Sequence, residues 1–572
     1  MRIPKALFLI ISLSVFSLSI SESNDQKYKT IMQNLYGENK EITGDYDKSL
    51  SITCNNGIFV GKKVEDVLSF KGIPFAKPPV GDLRWKAPIL AEDSSKIYEA
   101  YYFGKAPIQG KNTYQLGAYY PQGEDCLYLN IWLNTKDTSK NKPVMVYIHG
   151  GGFNSEAASD PLLDGYNLIS KYPDIILVTI EYRVSLLGFI DLSIVPGGEN
   201  YKDSINLGLL DQICSLKWIQ KNIKSFGGDP EKVTLFGNSA GGVSLSLLTL
   251  MDESKGLFKR IIVESGPISL TSTKDEFKKL TSQLLTKFSA KNMEDLMAIS
   301  EEDLYNIILE VSSNYPLKDG ITLPMDLYEA FKSGKGKNVD MLIGSNQNET
   351  MFYYIYNGEL YFRIGFQIMY ENDLKKMSQE DQKKANQFMK LLKDKKIWKV
   401  AEFYNDIIFR LPLIKQAEYH SDNGGNTYVY HWKYDGEQPY GSYHSLEIPY
   451  VFNNFKNTMY ENTIKENENI IKNVQDMWVN FARTGNPSTD ELVWDKYDSK
   501  DRKTMIIDEK CEMINDYKGE QREILDSLLK YNLKGDTSNL SYNVPIVYQV
   551  IGQIIIVILF IIGSIILFKK LF

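Results

Sequence analysis

From about residue 50 to residue 530, apolar runs of strand length alternate with segments whose apolar residues recur at helical spacing. Residues 144–148 and 175–182 are continuous stretches of branched and aromatic residues bounded by Pro or Gly, the pattern of strands buried on both faces. Residues 207–223 carry Leu, Ile, Cys and Trp at helical spacing, which predicts a helix stopping near Gly227-Gly228. A short strand at 233–236 runs straight into Gly237, and a helical segment at 242–250 follows. Further strands are expected around Ile261, at 339–344 and at 427–432. Alternation of this kind predicts an α/β protein with a mixed, mostly parallel central sheet flanked by helices. Between Ile261 and Met341, and again over 371–420, Lys/Glu-rich helical stretches read as insertions that cap the sheet, their charges as solvated faces. No repeat of fixed period appears, which excludes solenoids and propellers.

The two ends have a different pattern. Residues 1–21 begin with Arg2 and Lys5, continue through an apolar run at 6–16 and reach Ser19 and Ser21, the layout of a cleavable signal peptide. Residues 546–568 are apolar apart from Tyr548, Gln549, Gln553 and Ser564. As a helix they would run roughly 34 Å, enough to cross a hydrocarbon core. Lys569 and Lys570 follow at once, as expected of a tail left in the cytosol. The chain is therefore expected to comprise a signal peptide at 1–21, a globular domain at 22–530, a polar stalk at 531–545, a transmembrane helix at 546–568 and a tail at 569–572. That is a single-pass type I protein of the secretory pathway, at the endoplasmic reticulum or the cell surface. A glycolipid-anchor signal is the alternative reading of the small residues at 535–539 and the hydrophobic tail. The closing Lys569-Lys570-Leu571-Phe572 also resembles a dilysine retrieval signal. Sequons stand at Asn348 and Asn539, the second in the stalk.

Composition narrows the partners. A net charge of −7 speaks against nucleic acid, which requires a basic face to neutralise phosphates. Four cysteines (Cys54, Cys126, Cys214 and Cys511) allow at most two bridges, and their pairing cannot be read from spacing. Cys214, in an apolar helical stretch, is expected to be a buried thiol. No Cys-x-x-Cys or His-rich cluster is present, so neither a metal nor a cofactor is expected.

The candidate chemistry is nucleophilic. Gly237-Asn238-Ser239-Ala240-Gly241-Gly242 follows a strand and opens a helix. A serine on such a sharp turn is pushed out above the sheet, and the flanking glycines avoid a clash with neighbouring backbone. His149-Gly150-Gly151-Gly152-Phe153 closes the strand at 144–148, and its glycines let bare amides converge on one point. Gly151 and Gly152, with the amide of Ala240, are assigned to an oxyanion hole. A phosphate-binding loop fails for want of a Lys-Ser/Thr ending. A base must follow the serine in the chain, and of His149, His420, His431 and His444 only His444 lies in a downstream loop.

Over some 480 residues the chain resembles the type-B carboxylesterase/cholinesterase family of the α/β-hydrolase fold. The resemblance is carried by Gly72-Ile73-Pro74-Phe75-Ala76, Glu124-Asp125-Cys126-Leu127-Tyr128-Leu129-Asn130, Phe226-Gly227-Gly228-Asp229-Pro230, Glu264-Ser265-Gly266-Pro267 and Ala482-Arg483-Thr484-Gly485-Asn486-Pro487. It implies that Glu349, in Gly344-Ser345-Asn346-Gln347-Asn348-Glu349, is the acid of a Ser239–Glu349–His444 triad. It further implies that Asn238, Ser265 and Glu447 stand beside the triad, and that Arg84 with Glu124 and Arg183 with Asp211 form buried ion pairs. The implied activity is hydrolysis of carboxylic esters through an acyl-enzyme.

Several positions depart from the family. Many relatives carry Glu where Asn238 stands, and cholinesterases carry Trp where Leu116 stands, so a quaternary ammonium lacks its aromatic and anionic partners. Pro107 falls near the place of the cysteine that pairs with Cys126, which leaves Cys126 free or bonded to Cys54. The expected partners are a neutral short- to medium-chain ester, a membrane through the C-terminal helix and, as an open alternative, a second copy of the chain for a homodimer. Non-catalytic relatives, neuroligin-like adhesion or storage proteins, are the rival reading, and retention of Ser239, Glu349 and His444 together tells against it.

Overall fold

A computed structural model describes residues 26–110, 119–308, 315–393 and 396–534. The expected signal peptide, Leu116, Asn539, the expected stalk beyond residue 534, the expected membrane segment and the expected tail lie outside the described residues. Among the described residues no helix is long and apolar enough to cross a membrane.

The chain divides into two compact units. One comprises the chain up to Glu349 together with Pro412–Tyr517, and the other begins with Thr350–Leu411 and resumes at Lys518. The first contains an eleven-stranded sheet. Its strands are β1 Lys62–Val64, β2 Val67–Pro74, β3 Tyr128–Asn134, β4 Lys142–Ile148, β5 Ile176–Ile180, β6 Gly228–Asn238, β7 Arg260–Glu264, β8 Asp340–Asn346, β9 Thr427–Trp432, β10 Lys503–Ile507 and β11 Glu512–Asn515. Only β4 and β5 exchange places relative to chain order. Pairings from β5 through β4 and β6 to β10 are parallel. Antiparallel pairs close both edges. The sheet is thus mixed and mostly parallel, as the alternating pattern predicts.

Burial explains why the inner strands are continuous apolar runs. Every residue of β5 and of β9 is buried, as parallel strands covered on both faces require. Helix α1, Leu207–Asn222, is buried nearly all round and extends through a 3-10 turn, Ile223–Phe226, to Gly227 at φ 89°. A left-handed glycine at that point ends the helix without a Cβ penalty. Helix α2, Ala240–Leu250, begins one residue after Ser239. Helix α3, Lys274–Phe288, starts with a capping box in which Thr273 and Glu276 satisfy each other's backbone N–H groups. It packs Leu280 and Leu284 into a satellite core with Leu186, Ile190 and Leu192.

The second unit is helical. It contains Met351–Lys376, Gln379–Leu391 and Lys396–Tyr404, then a π-helical turn, Asn405–Arg410. Phe362 and Phe366 pack at 4.3 Å and Tyr404 meets Phe366 edge-on. The helical run therefore starts at residue 351, twenty residues before the position expected from the charge pattern. The apolar first helix lacks the Lys/Glu signature of the rest.

Two further expectations are settled in this frame. All four cysteines are buried, unpaired thiols, so Cys126 and Cys54 are not bonded. Desolvation pushes the Cys54 thiol up to about 12, which keeps it protonated and unreactive. Arg84 meets Glu124 through Nε at 2.6 Å. Arg183 grips both oxygens of Asp211 at 2.8 and 2.6 Å, tying the end of β5 to α1.

Removing one partner of a buried ion pair leaves the other charge uncompensated. Arg183→Met is therefore expected to lose about 3–5 kcal/mol of unfolding free energy in urea. The double variant with Asp211→Leu is expected to recover most of that loss. Equal stability of parent and single variant contradicts this account.

Candidate active site

The carbonyl ends of the parallel strands place the site. Loops leaving β4, β6, β7, β8 and β9 carry His149, Ser239, Ser265, Glu349 and His444 respectively. In open α/β sheets this edge is where ligands bind.

Ser239 joins β6 directly to α2 at φ 56°, ψ −122°, a conformation that an L side chain adopts only when the surroundings enforce it. Its N–H donates to the Glu264 carbonyl at 2.8 Å, and its carbonyl accepts from Val243 N at 2.9 Å. The turn is tight because a Cβ at Gly241 would lie 2.0 Å from the Ile148 carbonyl oxygen. Ala240 is the first residue of α2, so its N–H lies outside the helical i→i−4 ladder.

The glycine loop abuts this turn. A Cβ on Gly150 would meet the Asn238 carbonyl at 3.1 Å and Ser239 Cβ at 3.3 Å. Gly151 at φ 83° and Gly152 at φ 61° turn the loop, with Asn154 N bonded to the Gly151 carbonyl at 2.9 Å. His149, fully buried, anchors the loop: its Nε2 lies 3.4 Å from Glu181 Oε2 and its ring stacks on Tyr182 at 4.3 Å. The Tyr182 hydroxyl donates to the His149 carbonyl at 2.9 Å.

Across the edge, His444 Nδ1 is 2.6 Å from Glu349 Oε2. Glu349, buried, also accepts on Oε1 from the Ser265 hydroxyl at 2.6 Å and from Asn346 N at 2.8 Å. Three donors on one carboxylate fix its plane and hence the imidazole that it holds. Burial acts against the charged imidazole. The Glu349 charge and hydrogen bond, helped by Glu447, outweigh it and hold His444 above its ordinary pKa.

Behind this pair lies a second carboxylate. Glu447 accepts on Oε1 from Asn238 Nδ2 at 2.7 Å and on Oε2 from Asn346 Nδ2 at 2.5 Å. The Asn238 oxygen accepts in turn from the Ser445 hydroxyl at 2.6 Å. Burial, then the Glu349 charge, pushes Glu447 up to about 7. Glu264 accepts from Trp478 Nε1 at 2.5 Å, and burial and Glu447 hold it well above the usual carboxylate range.

The structure thus brings Ser239, Ala240, Gly151, Gly152, Asn238, Ser265, Glu349, His444 and Glu447 to one edge of the sheet. The other histidines are occupied elsewhere. His420 Nδ1 pairs with Thr427 Oγ1 at 2.8 Å, and burial lowers its pKa to about 4. His431 sits within β9 against Tyr517 at 5.0 Å between ring centres. Asn348 is engaged by Ser442, whose N–H donates to its Oδ1 at 3.2 Å. Among the described residues no group of three or more His, Cys, Asp or Glu side chains is arranged to hold a metal.

Sequence reasoning missed Asn346, Ser445, Glu264 and Glu181. Two of these, Asn346 and Glu264, lie inside motifs already singled out.

Because Glu447 adds negative potential at His444, Glu447→Gln is expected to lower the His444 titration midpoint, read by NMR on carbon-labelled histidine. An unchanged or raised midpoint contradicts this electrostatic reading.

Comparison with known proteins agrees with the geometry. The model of the carboxylesterase family matches residues 48–525. Para-nitrobenzyl esterase of Bacillus subtilis (strain 168) is 34% identical over 494 residues, covering 83% of this chain and 98% of that protein. Carboxylesterase 1F of Mus musculus is 32% identical over 527 residues, covering 80% of this chain and 90% of that protein. Among solved structures, the Geobacillus stearothermophilus carboxylesterase EST55 at pH 6.2 superposes with a TM-score of 0.74 at 29% identity, covering 83% of this chain and 99% of that one. A strand–serine–helix turn, a glycine loop against it and a family match spanning the sheet lead to one conclusion: the chain belongs to the carboxylesterase family and is a carboxylesterase of the α/β-hydrolase fold.

Proposed function

We propose that Ser239 is the nucleophile, His444 the general base and Glu349 the acid of a triad that hydrolyses neutral short- to medium-chain esters through an acyl-enzyme. The observation that carries this reading is the 2.6 Å His444–Glu349 pair at the same strand edge as the left-handed Ser239. With Nδ1 bound to Glu349, the imidazole uses Nε2 for the exchange of protons with substrate and nucleophile. Nε2 takes the Ser239 proton as the oxygen attacks the ester carbonyl, and returns it to the leaving alkoxide. Glu349 holds the tautomer and stabilises the imidazolium. Water then enters, His444 activates it, and the acyl group leaves Ser239 as a carboxylic acid. The amides of Gly151, Gly152 and Ala240 receive the oxyanion, and loss of one such donor costs about 3 kcal/mol in the transition state.

The neutral-ester preference rests on Asn238. Its side chain is spent on Glu447 and Ser445, and it brings no charge to a cationic alcohol. Secretory delivery through residues 1–21 and membrane anchoring through 546–568 belong to the same proposal and rest on the sequence pattern.

Ser239→Ala is expected to cut the turnover of nitrophenyl esters by about a thousandfold or more relative to the parent, with the fold retained. In the parent, turnover is expected to fall beyond medium acyl lengths, and an acylcholine is expected to react more slowly than its neutral isostere. Equal rates from parent and variant, both well folded, would remove Ser239 from the mechanism. A faster acylcholine would remove the neutral preference.

A further inference from the structure

Glycine adopts φ of either sign about equally, so the run Gly150-Gly151-Gly152 does not by itself fix which way its peptide planes face. The carbonyls fix it instead. In a planar trans peptide the C=O of one residue and the N–H of the next point in opposite directions, and the peptides here are trans. Each carbonyl from His149 to Phe153 accepts a hydrogen bond. Those of His149 and Gly150 accept from the Tyr182 hydroxyl at 2.9 and 3.2 Å. That of Gly151 accepts from Asn154 N at 2.9 Å, and from Ser155 through N at 3.1 Å and Oγ at 3.2 Å. That of Gly152 accepts from Asn154 Nδ2 at 2.7 Å, and that of Phe153 from Ser185 N at 2.7 Å.

Tyr182 is fully buried, with its ring stacked on His149 at 4.3 Å. Because the Gly150 carbonyl faces this buried phenol, the Gly151 N–H is turned away from it. The Gly151 carbonyl, held by Asn154 and Ser155, turns the Gly152 N–H away from those residues in the same manner. Tyr182 also follows Glu181, whose Oε2 lies 3.4 Å from His149 Nε2, so the chain just past β5 holds both the imidazole and the carbonyls. Burial, then the charges of Glu156 and Glu181, keep the Tyr182 phenol well above its ordinary pKa, and it remains a donor wherever the enzyme works.

We infer that Tyr182 and Asn154 are positioning residues that hold the amides of Gly151 and Gly152 in the orientation that receives the oxyanion. The inference rests on the ester-hydrolase reading above and names what keeps its oxyanion hole in shape. Neither side chain needs to touch the substrate. Loss of the Tyr182 hydroxyl frees the peptide that carries the Gly151 N–H. Loss of the Asn154 amide frees the peptide just beyond Gly152, and with it a glycine that has no side chain to resist rotation.

The test compares the full chain with Tyr182→Phe, which deletes the hydroxyl and keeps the ring. Neutral nitrophenyl esters give kcat and KM per titrated site. An alkyl trifluoromethyl ketone, which a nucleophilic serine converts to a tetrahedral oxyanion, reports affinity for the transition state. In Tyr182→Phe, kcat is expected to fall about ten- to a hundredfold and ketone affinity by a similar factor, with KM within about twofold of the parent. The pH midpoint of kcat/KM is expected to stay that of the parent, since the phenol does not titrate there. A purely structural loss would not weaken the ketone and spare KM together. Should Tyr182→Phe fail to fold, Asn154→Ala, at a half-buried position, is read in the same way. Parent-like kcat and ketone affinity in the folded variant, a lower kcat without matching loss of ketone affinity, or a shifted midpoint overturns the positioning role and leaves the esterase reading standing. No turnover of any ester by the parent overturns both.

Discussion

Gly237 and Gly241 let the start of α2 close on the carbonyl of Ile148, and the functional edge is built on that backbone-to-backbone approach. A Cβ at either glycine would lie 2.5 or 2.0 Å from that oxygen. Without those Cβ atoms, the strand carrying Ser239 and the strand ending in the glycine loop can be neighbours in register, with Leu235 beside Val146. The left-handed Ser239 then follows, because its N–H and its carbonyl are both committed to Glu264 and Val243. Strain at the serine is offset by packing around it rather than relieved locally.

The same edge concentrates buried ionisable groups, which is costly unless each finds partners. Glu349 is met by an imidazole, a hydroxyl and a backbone amide. Glu447 is met by two side-chain amides. This gives the departure at Asn238 a physical reason. A neutral amide can donate to Glu447 and accept from Ser445 at once, fastening the Ser239 turn to the His444 loop. A carboxylate there would stand against Glu447 and add a further charge to a pocket that already holds Glu264.

The inner parallel strands were legible because burial on both faces leaves continuous apolar runs, as at 144–148 and 175–182. The edges were not: β1 is exposed throughout, β11 reads Glu-Met-Ile-Asn, and neither carries a periodic signal. At the serine turn the glycines read as a gap between 236 and 242. In fact β6 reaches Asn238 and α2 starts at Ala240, tertiary packing having overridden the low helix propensity of Gly241 and Gly242. Ser239 and the glycines of 150–152 could be found from local context, since strand, turn and helix are adjacent in sequence. Glu349 and His444 came from family resemblance, because a carboxylate after a strand and a loop histidine carry no local mark. The side chains of Asn346 and Ser445 could not be assigned at all, since their partners Glu447 and Asn238 lie far along the chain.

The central claim is that Ser239 becomes covalently acylated with His444 as its base. Diethyl 4-nitrophenyl phosphate, which traps a nucleophilic serine as a stable phosphoester, tests it directly by intact and peptide mass spectrometry. The account predicts one diethylphosphoryl group per chain, located on Ser239, formed quickly in the parent and far more slowly in His444→Ala. No adduct, or an adduct on another residue, would contradict it.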